Sequence, residues 1–485
     1  MKLNEIKKVH IIGIGGCASS AIGELLCKNG ITITGSEIKQ REGLTYLEKM
    51  GIKIIYFHDK NNLNLGDIKP DLVLYSPAVS ALNSNNPELI EAKNLKIPLL
   101  SWEEFIGDYL NASGKIGIAV CGSEGKGTTA GILTQILKGT EYDPLSILGA
   151  KIKHINGRKD SNIYLGNGKS YILEADEYNR NFLNYHPSIN IMINFKYEHP
   201  ETYKNFNEYQ EAFYNFFKGM SSSKVLILKT TTEIIRFVKK YGLNKTHSIT
   251  WFGNGSGDLD NIKQNFKIID HSVNITGNNF ILGSGEGKFN FKLSALPGYM
   301  VYNATGAIIA SLKLGLSPIQ IKKNILRFKG MVRRFDVLKT ENNGIIITDY
   351  GHSPEAISHI IEEIRAIFSN KKVHLIFQPH LFSRTYNFFY EFVNELKKAD
   401  RISLIDIYPA RENSEYWVKK VSSYMIYEKL KDLKKDVYYA GKSSEIYKSL
   451  SGKIDENDVT CFIGAGDMDL YYKEILDFFK AKSYY

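Results

Sequence analysis

The chain has 485 residues, of which 43% are hydrophobic and 24% charged, and its formal charge is +10. That length implies roughly two to four domains with sizeable cores. It excludes a disordered or low-complexity chain, and no apolar run reaches the roughly 20 residues that span a bilayer. The four cysteines, Cys17, Cys27, Cys121 and Cys461, lack CxxC spacing, which argues against a disulfide framework or a thiolate metal site. The lysines are spread along the chain, as on a solvated surface, so no nucleic-acid partner is expected. The N-terminus runs straight into an apolar strand without a signal-peptide pattern, and a cytoplasmic protein is expected.

The first block, to about residue 113, alternates strand-like "VHIIGIGG", "ITITGSE", "KIIYF" and "DLVLYSPAV" with helical "CASSAIGELLCKNG" and "TYLEKMG". Such alternation implies a parallel sheet with crossover helices. A second block starts at "KIGIAVCG" and repeats apolar strands at "SYILEADE", "SINIMINF" and "SKVLILK". Between about 265 and 295 it changes to short pieces with glycine turns, expected to be an antiparallel insertion or edge. The third block begins near "FKGMVRRFDVLK" and carries strands "GIIITDY", "VHLIFQPH", "RISLIDIYP", "KDVYYAG" and "VTCFIGAG". The expected domains are 1–113, 114–327 and 328–485. In open α/β sheets, ligands bind at the carboxyl ends of the strands.

In "GIGGCA", Gly13, Gly15 and Gly16 lie between a strand and a helix, where bare backbone can approach a pyrophosphate. Glu37 ends the next strand, where an acid can accept from a sugar hydroxyl. A dinucleotide or sugar-nucleotide site fits, and so does a tight structural turn. The run "IAVCGSEGKGTTAGIL" is more specific. Gly122, Gly125 and Lys126 sit between a strand and a helix, the layout in which backbone N–H groups cradle phosphates and a lysine neutralises them. The alternative is a glycine turn with an incidental lysine. Glu124 is unexpected in an anion cradle.

"ILEADE" sets Glu174, Asp176 and Glu177 at a strand end, as magnesium ligands or as a solvated edge. "NFKYEHPETY" offers Asn194, Glu198 and His199, the histidine being a ligand or a packed residue. The third block offers Asp349, Tyr350 and His352, then His380, Ser383 and Arg384. Arg384 could clamp a carboxylate in a bidentate fork or be a surface arginine.

Taken in order, "GSEGKGTT", "EADEYNRNFL", "NFKYEHPETY", "LPGYMVYNAT", "FKGMVRRFD", "TDYGHSPEAI", "FQPHLFSRT", "DIYPARE" and "GAGDMD" resemble the Mur ligases over nearly the whole chain. The resemblance implies an α/β protein of three domains. These are an N-terminal Rossmann-like UDP-binding domain, a central P-loop ATPase domain with a mostly parallel sheet plus antiparallel strands, and a C-terminal Rossmann-like domain. It implies ATP and Mg2+ as cofactors and UDP-N-acetylmuramate and L-alanine as substrates, joined through an acyl phosphate, in a monomer or homodimer with no membrane partner. Recycling of a murein tripeptide is the neighbouring activity.

By resemblance, Gly122, Ser123, Gly125, Lys126, Gly127, Thr128, Thr129, Asn303, Arg334 and Asp349 hold ATP. Gly13, Gly15, Gly16, Glu37 and Ser76 hold the UDP substrate, and Thr128, Glu174 and His199 the metal. Lys126, Glu174, His199, His380 and Arg384 form the catalytic set.

The chain departs from the family where hydroxyl and amide ligands are expected. Gly127 stands directly after the lysine, and "LPGYMVYNAT" lacks a His-Asn pair. Thr348, Ser353, Ala356 and Glu198 replace an Asp, a His, a Glu and an Asp. A UDP-sugar-binding relative with a degenerate ATPase loop is therefore a third reading, while a nicotinamide dehydrogenase would leave the second and third blocks unexplained.

Overall fold

Each block builds a sheet of its own in the computed structural model. The structure describes residues 5–38, 40, 42–64, 69–77, 79, 83, 85–155, 157, 160–199, 202–221, 223–254, 262–294, 297–410, 412, 414–433, 436–442, 446, 456–468, 477, 479, 480, 482 and 483.

The first sheet holds β1 (Lys8–Ile12), β2 (Thr32–Ser36), β3 (Lys53–Ile55), β4 (Leu72–Tyr75) and β5 (Leu99–Ser101) in the order β3-β2-β1-β4-β5. All its pairings are parallel. The order reverses at β1, so the crevice for a ligand opens at the carboxyl end of β1, where the Gly13–Gly16 turn leads into the helix Cys17–Lys28. The helix Trp102–Asn111 starts with a capping box between Ser101 and Glu104. Its Gly107 lies against the 3₁₀ segment Tyr178–Asn184, where an added Cβ would be 2.6 Å from the Asn184 carbonyl oxygen.

The second sheet has ten strands: β6 (Ile116–Cys121), β7 (Leu145–Lys153), β8 (Asp160–Leu165), β9 (Ser170–Glu174), β10 (Ile189–Met192), β11 (Val225–Lys229), β12 (Ser248–Gly253), β13 (Phe266–Asn274), β14 (Gly277–Ser284) and β15 (Gly287–Leu293). Their order is β15-β14-β13-β12-β11-β10-β6-β9-β7-β8. Strands β12, β11, β10, β6, β9 and β7 pair in parallel. They are near-continuous apolar runs because both faces are covered. The β13–β15 edge is the glycine-turn region foreseen between 265 and 295, and two-residue connections force its neighbours antiparallel. Strand β8, antiparallel to β7, was not foreseen.

The third sheet comprises β16 (Asp336–Lys339), β17 (Ile345–Asp349), β18 (Lys372–Phe377), β19 (Arg401–Ile405), β20 (Val437–Gly441), β21 (Asp458–Ile463) and β22 (Lys482–Ser483), ordered β20-β19-β18-β21-β17-β16-β22. It is parallel from β20 to β17, with β16 and β22 antiparallel. The helix Pro354–Ile367 begins where "SPEA" places it, with Ser353 accepting from the Ala356 N–H and a proline in the first turn.

The chain packs as two compact units: residues 1–270, 280–291 and 301–328 in one, and 271–279, 292–300 and 329–485 in the other. The first two sheets share one apolar core in the first unit, in which Phe182, Phe195, Tyr203, Tyr209, Phe213 and Phe217 are fully buried. The second unit has its own core of β16–β21 and the helix Pro354–Ile367. Among the described residues no helix is long and apolar enough to cross a membrane.

Candidate active site

Strand β6 is buried from Gly117 to Cys121 and releases the chain at Gly122, whose φ of +107° favours glycine. A Cβ there would lie 2.4 Å from the Asn194 carbonyl oxygen, and one on Gly125 (φ +82°) 3.0 Å from Asn303 Nδ2. Close approach to backbone requires glycine at 122, whereas at 125 the left-handed φ is the constraint. Asn194 also steadies the loop, because its Oδ1 accepts from the Glu124 N–H at 2.8 Å. Ser123 Oγ accepts from the Lys196 N–H at 2.7 Å and donates to the Lys196 carbonyl.

Gly125 opens the helix Lys126–Leu137 and no side chain caps it. The first-turn N–H groups therefore present partial positive charge to an anion. Thr128 is buried beside them, and the fully buried Thr129 hydroxyl has no hydrogen-bond partner among the described residues. An orphaned donor under an uncapped helix start inside a glycine cradle fits a nucleotide phosphate chain.

Lys126 Nζ donates to the Gly122 and Ser123 carbonyls at 2.8 and 3.1 Å and to the Glu177 carboxylate at 2.9 Å. Burial pulls this ammonium down, but Glu177, Asp176, Glu198 and Glu174 more than offset it, and its pKa is raised. Glu177 is fully buried; burial raises its carboxyl and Lys126 opposes that. Its Oε1 also accepts from the Tyr209 hydroxyl at 3.4 Å. Glu198 is pushed up to about 7 by burial, with Lys126 opposing and Glu177 adding to it.

Asp176, Glu177 and His199 bring one ligand atom each within 4.8 Å of one another. Two carboxylates and an imidazole beside a phosphate cradle fit a hard divalent cation such as magnesium. His199 reaches this cluster in the left-handed region (φ +57°), a strained placement of the kind found at functional sites. Of the expected metal ligands, His199 belongs to the cluster, and Thr128 lies at the start of the phosphate-loop helix. Glu174 lies against the helix start, its Oε2 accepting from the Gly149 N–H at 2.8 Å. Spacing pointed to the acidic strand end but not to which carboxylate faces the lysine.

In the N-terminal sheet, Gly13 (φ +75°) packs tightly on Val79 and beside Ser76. The Gly15 N–H donates to Glu37 Oε2 at 3.0 Å, and a Cβ on Gly15 would meet the same oxygen at 2.4 Å. Glu37 thus rests its carboxylate on the N–H of the glycine turn. Gly16 opens the helix Cys17–Lys28 without a side-chain cap.

In the second unit, both Asp349 oxygens accept backbone N–H groups, from Phe335 and Gly351, each at 2.6 Å. Burial raises this carboxyl, with Arg334 opposing. The Arg334 guanidinium lies 5.1 Å from the centre of the Tyr350 ring. His380 stacks on Tyr408 at 5.7 Å, and Arg384 Nη1 is 3.4 Å from His380 Nδ1. Glu412 accepts from the Ser383 N–H at 3.1 Å. His352 stands 6.1 Å from His380, ring to ring.

A glycine cradle with its lysine, set beside an acidic strand end in a three-sheet α/β chain, defines a nucleoside-triphosphate-using enzyme. Residues 8–113 match the family model described as Mur ligase family, catalytic domain; residues 120–311 match the Mur ligase middle domain, and residues 333–466 the Mur ligase glutamate ligase domain. The UDP-N-acetylmuramate–L-alanine ligase of Aquifex aeolicus is 32% identical over 477 residues, covering 98% of each chain. The protein of the same name from Alkaliphilus metalliredigens is 32% identical, again over 98% of each. The crystal structure of the UDP-N-acetylmuramate-alanine ligase from Thermotoga maritima superposes with a TM-score of 0.81 at 26% identity, covering 98% of this chain and 99% of that one. A murein peptide ligase from Psychrobacter arcticus shares the fold, with a TM-score of 0.69 at 19% identity over 98% of each chain. The chain belongs to the Mur ligase family.

Proposed function

We propose that this chain joins L-alanine to UDP-N-acetylmuramate, with conversion of ATP to ADP and phosphate, in peptidoglycan precursor synthesis. The observation that carries the reading is end-to-end likeness to ligases of that name, over 98% of the chain, in a protein whose loop keeps Lys126 at a helix start. The domain limits of that reading are 1–113, 114–327 and 328–485, and the cytoplasm, where ATP is available, is the expected compartment.

A carboxylate does not accept an amine directly, because oxide is a poor leaving group. A sugar carboxylate oxygen therefore attacks the γ-phosphorus of ATP, ADP departs, and an acyl phosphate forms. The alanine amine, having lost a proton, attacks the acyl carbon; phosphate departs and the amide remains. Phosphoryl transfer needs positioning and charge neutralisation more than a protein nucleophile. The Lys126 ammonium and the first-turn N–H groups would bind the β- and γ-phosphates. When Lys126 turns to phosphate, Glu177 is released beside Asp176 and His199, and these three would hold magnesium. The metal supplies charge neutralisation at the transferring group.

The test is phosphate release with UDP-N-acetylmuramate, ATP, magnesium and L-alanine, each omitted in turn, and with a tripeptide in place of alanine. Release only with all four, and none with the tripeptide, is the expected result. Release with the tripeptide and not with alanine would move the chain to the recycling activity.

A further inference from the structure

The glycine turn of the N-terminal sheet uses its own backbone donors internally. The Gly13 and Ile14 N–H groups both donate to the Ser36 carbonyl, at 2.9 and 3.1 Å, and the Gly16 N–H donates to the Gly13 carbonyl at 3.1 Å. The Gly15 N–H goes to Glu37. Among the described residues, the first N–H groups without a partner are those of Cys17, Ala18 and Ser19, at the uncapped start of the helix Cys17–Lys28. The last residue of β2 therefore sets how the turn presents that helix start. Gly35, one residue earlier, leaves room for the turn to settle on β2: an added Cβ there would lie 2.7 Å from Ile14 Cδ1.

Ser36 is held in turn. It is fully buried, and its Oγ donates to Glu88 Oε2 at 2.8 Å. Glu88 lies fully buried in the first turn of the helix Pro87–Asn94, and its carboxylate also takes His10 of β1 and His58 and Asn62 of the segment after β3. One carboxylate thus ties β1, β2 and that segment together. A buried polar network with its partners in place is rigid and specifies one arrangement.

We propose that Glu88 is a positioning residue for the nucleotide-sugar substrate: through the Ser36 hydroxyl it fixes the carbonyl that orients the Gly13–Gly16 turn, and so aims the helix start at the diphosphate of UDP-N-acetylmuramate. Glu88 and Ser36 are both fully buried, so they act through the turn and not on the substrate. The inference deepens the ligase reading and rests on it for the identity of the substrate.

The test is calorimetric titration of the full chain with UDP-N-acetylmuramate, beside steady-state kinetics and a thermal melt. Ser36→Ala keeps the carbonyl and removes its tether. It should raise the Kd and KM for this substrate about 5- to 30-fold, within the span for residues that act on a site through an intermediary. The kcat at saturation should stay within about twofold, as for a loss of uniform binding. Glu88→Gln should raise Kd similarly, and Ser36→Ala/Glu88→Gln no further than Glu88→Gln alone, because both act through one hydrogen bond. Thr34→Val is the control. It removes a 2.8 Å hydrogen bond to His10 in the same network but none on the path to the turn. It should lower the melting temperature and leave Kd within about twofold. An unchanged Kd in Ser36→Ala, an equal loss in Thr34→Val, or additive losses in the double variant overturn the proposal. Failure of the ligase reading shows separately, as no phosphate release by the unaltered chain, and the affinity comparison then still decides the role of Glu88. No binding of UDP-N-acetylmuramate by the unaltered chain overturns both.

Discussion

The Lys126 ammonium donates to the Glu177 carboxylate at 2.9 Å while also donating to two carbonyls of its own loop. The ligand-free loop thus satisfies its own cation, and a phosphate chain must exchange for these partners. Lys126→Ala should abolish phosphate release and nucleotide binding. Lys126→Arg should not restore them, because a planar fork cannot match three convergent acceptors. Glu177→Ala would leave a buried ammonium without its fully buried partner. Breaking such a pair costs about 3–5 kcal/mol, and a thermal melt should report it.

Gly122 and Gly125 separate two kinds of glycine requirement. At Gly122 a Cβ meets backbone, the Asn194 carbonyl, which cannot move without disturbing the chain after β10. Gly122→Ala should cost about 1–3 kcal/mol from the left-handed backbone alone and should also lose nucleotide binding. At Gly125 the neighbour is the Asn303 amide, a side chain that can swing away. Gly125→Ala should pay only the backbone cost, and Gly125→Ala/Asn303→Ala should bind nucleotide no better than Gly125→Ala alone. Calorimetric titration with ADP checks both.

The loop was legible because its residues are consecutive: apolar strand, glycines, lysine and helix follow within 16 positions. The α/β alternation was legible for the same local reason. The Glu177–Lys126 pair spans 51 residues and the Gly149–Glu174 bond 25, and only the sheet order β6-β9-β7 brings them together. Glu174 was singled out because it ends an apolar strand, yet the chain leaves the pleat after it, so alternation could not say which acid faces the lysine. Asp349 was expected at a ligand, and its carboxylate accepts from the Gly351 N–H of its own turn and from the Phe335 N–H 14 residues earlier, a partner that local spacing does not show. A clue was missed in β1: His10 interrupts the apolar run "KVHII", and a histidine there needs a buried partner.

That partner is Glu88. Its fully buried carboxylate accepts from His10 Nε2 at 3.2 Å, His58 Nδ1 at 2.5 Å, Ser36 Oγ at 2.8 Å and Asn62 Nδ2 at 2.8 Å. Burial raises this carboxyl, but the hydrogen bonds from His10 and His58 outweigh it and hold it down at about 2, from an ordinary 4.5. The folded value is depressed, so the stabilisation is present above pH 4.5 and is lost as pH falls toward 2. It amounts to about 3 kcal/mol. Glu88→Ala should lower the melting temperature at pH 7 and flatten the acid limb over that window. Chemical denaturation at stepped pH gives both.

Arg384 carries donors only, so His380 Nδ1, 3.4 Å from its Nη1, must accept and the imidazole proton sits on Nε2. Burial first, then the Arg384 charge, holds His380 down at about 4, and the same two causes hold His352 at about 3. Both rings are therefore neutral at pH 7. Below their ordinary value of 6.5 the unfolded chain takes up protons that the folded chain refuses. Stability should therefore decline from about pH 6.5 down through 4. Arg384→Ala removes one of the two causes, so the His380 midpoint should rise toward 6.5, readable from its ring resonances in an NMR titration. If Arg384 also clamps a substrate carboxylate, the same variant should raise the KM of that substrate about 10- to 100-fold, the span of a lost charge-assisted hydrogen bond. Arg384→Lys should restore the His380 midpoint, which needs only charge, and leave KM high, because a point charge cannot form the fork.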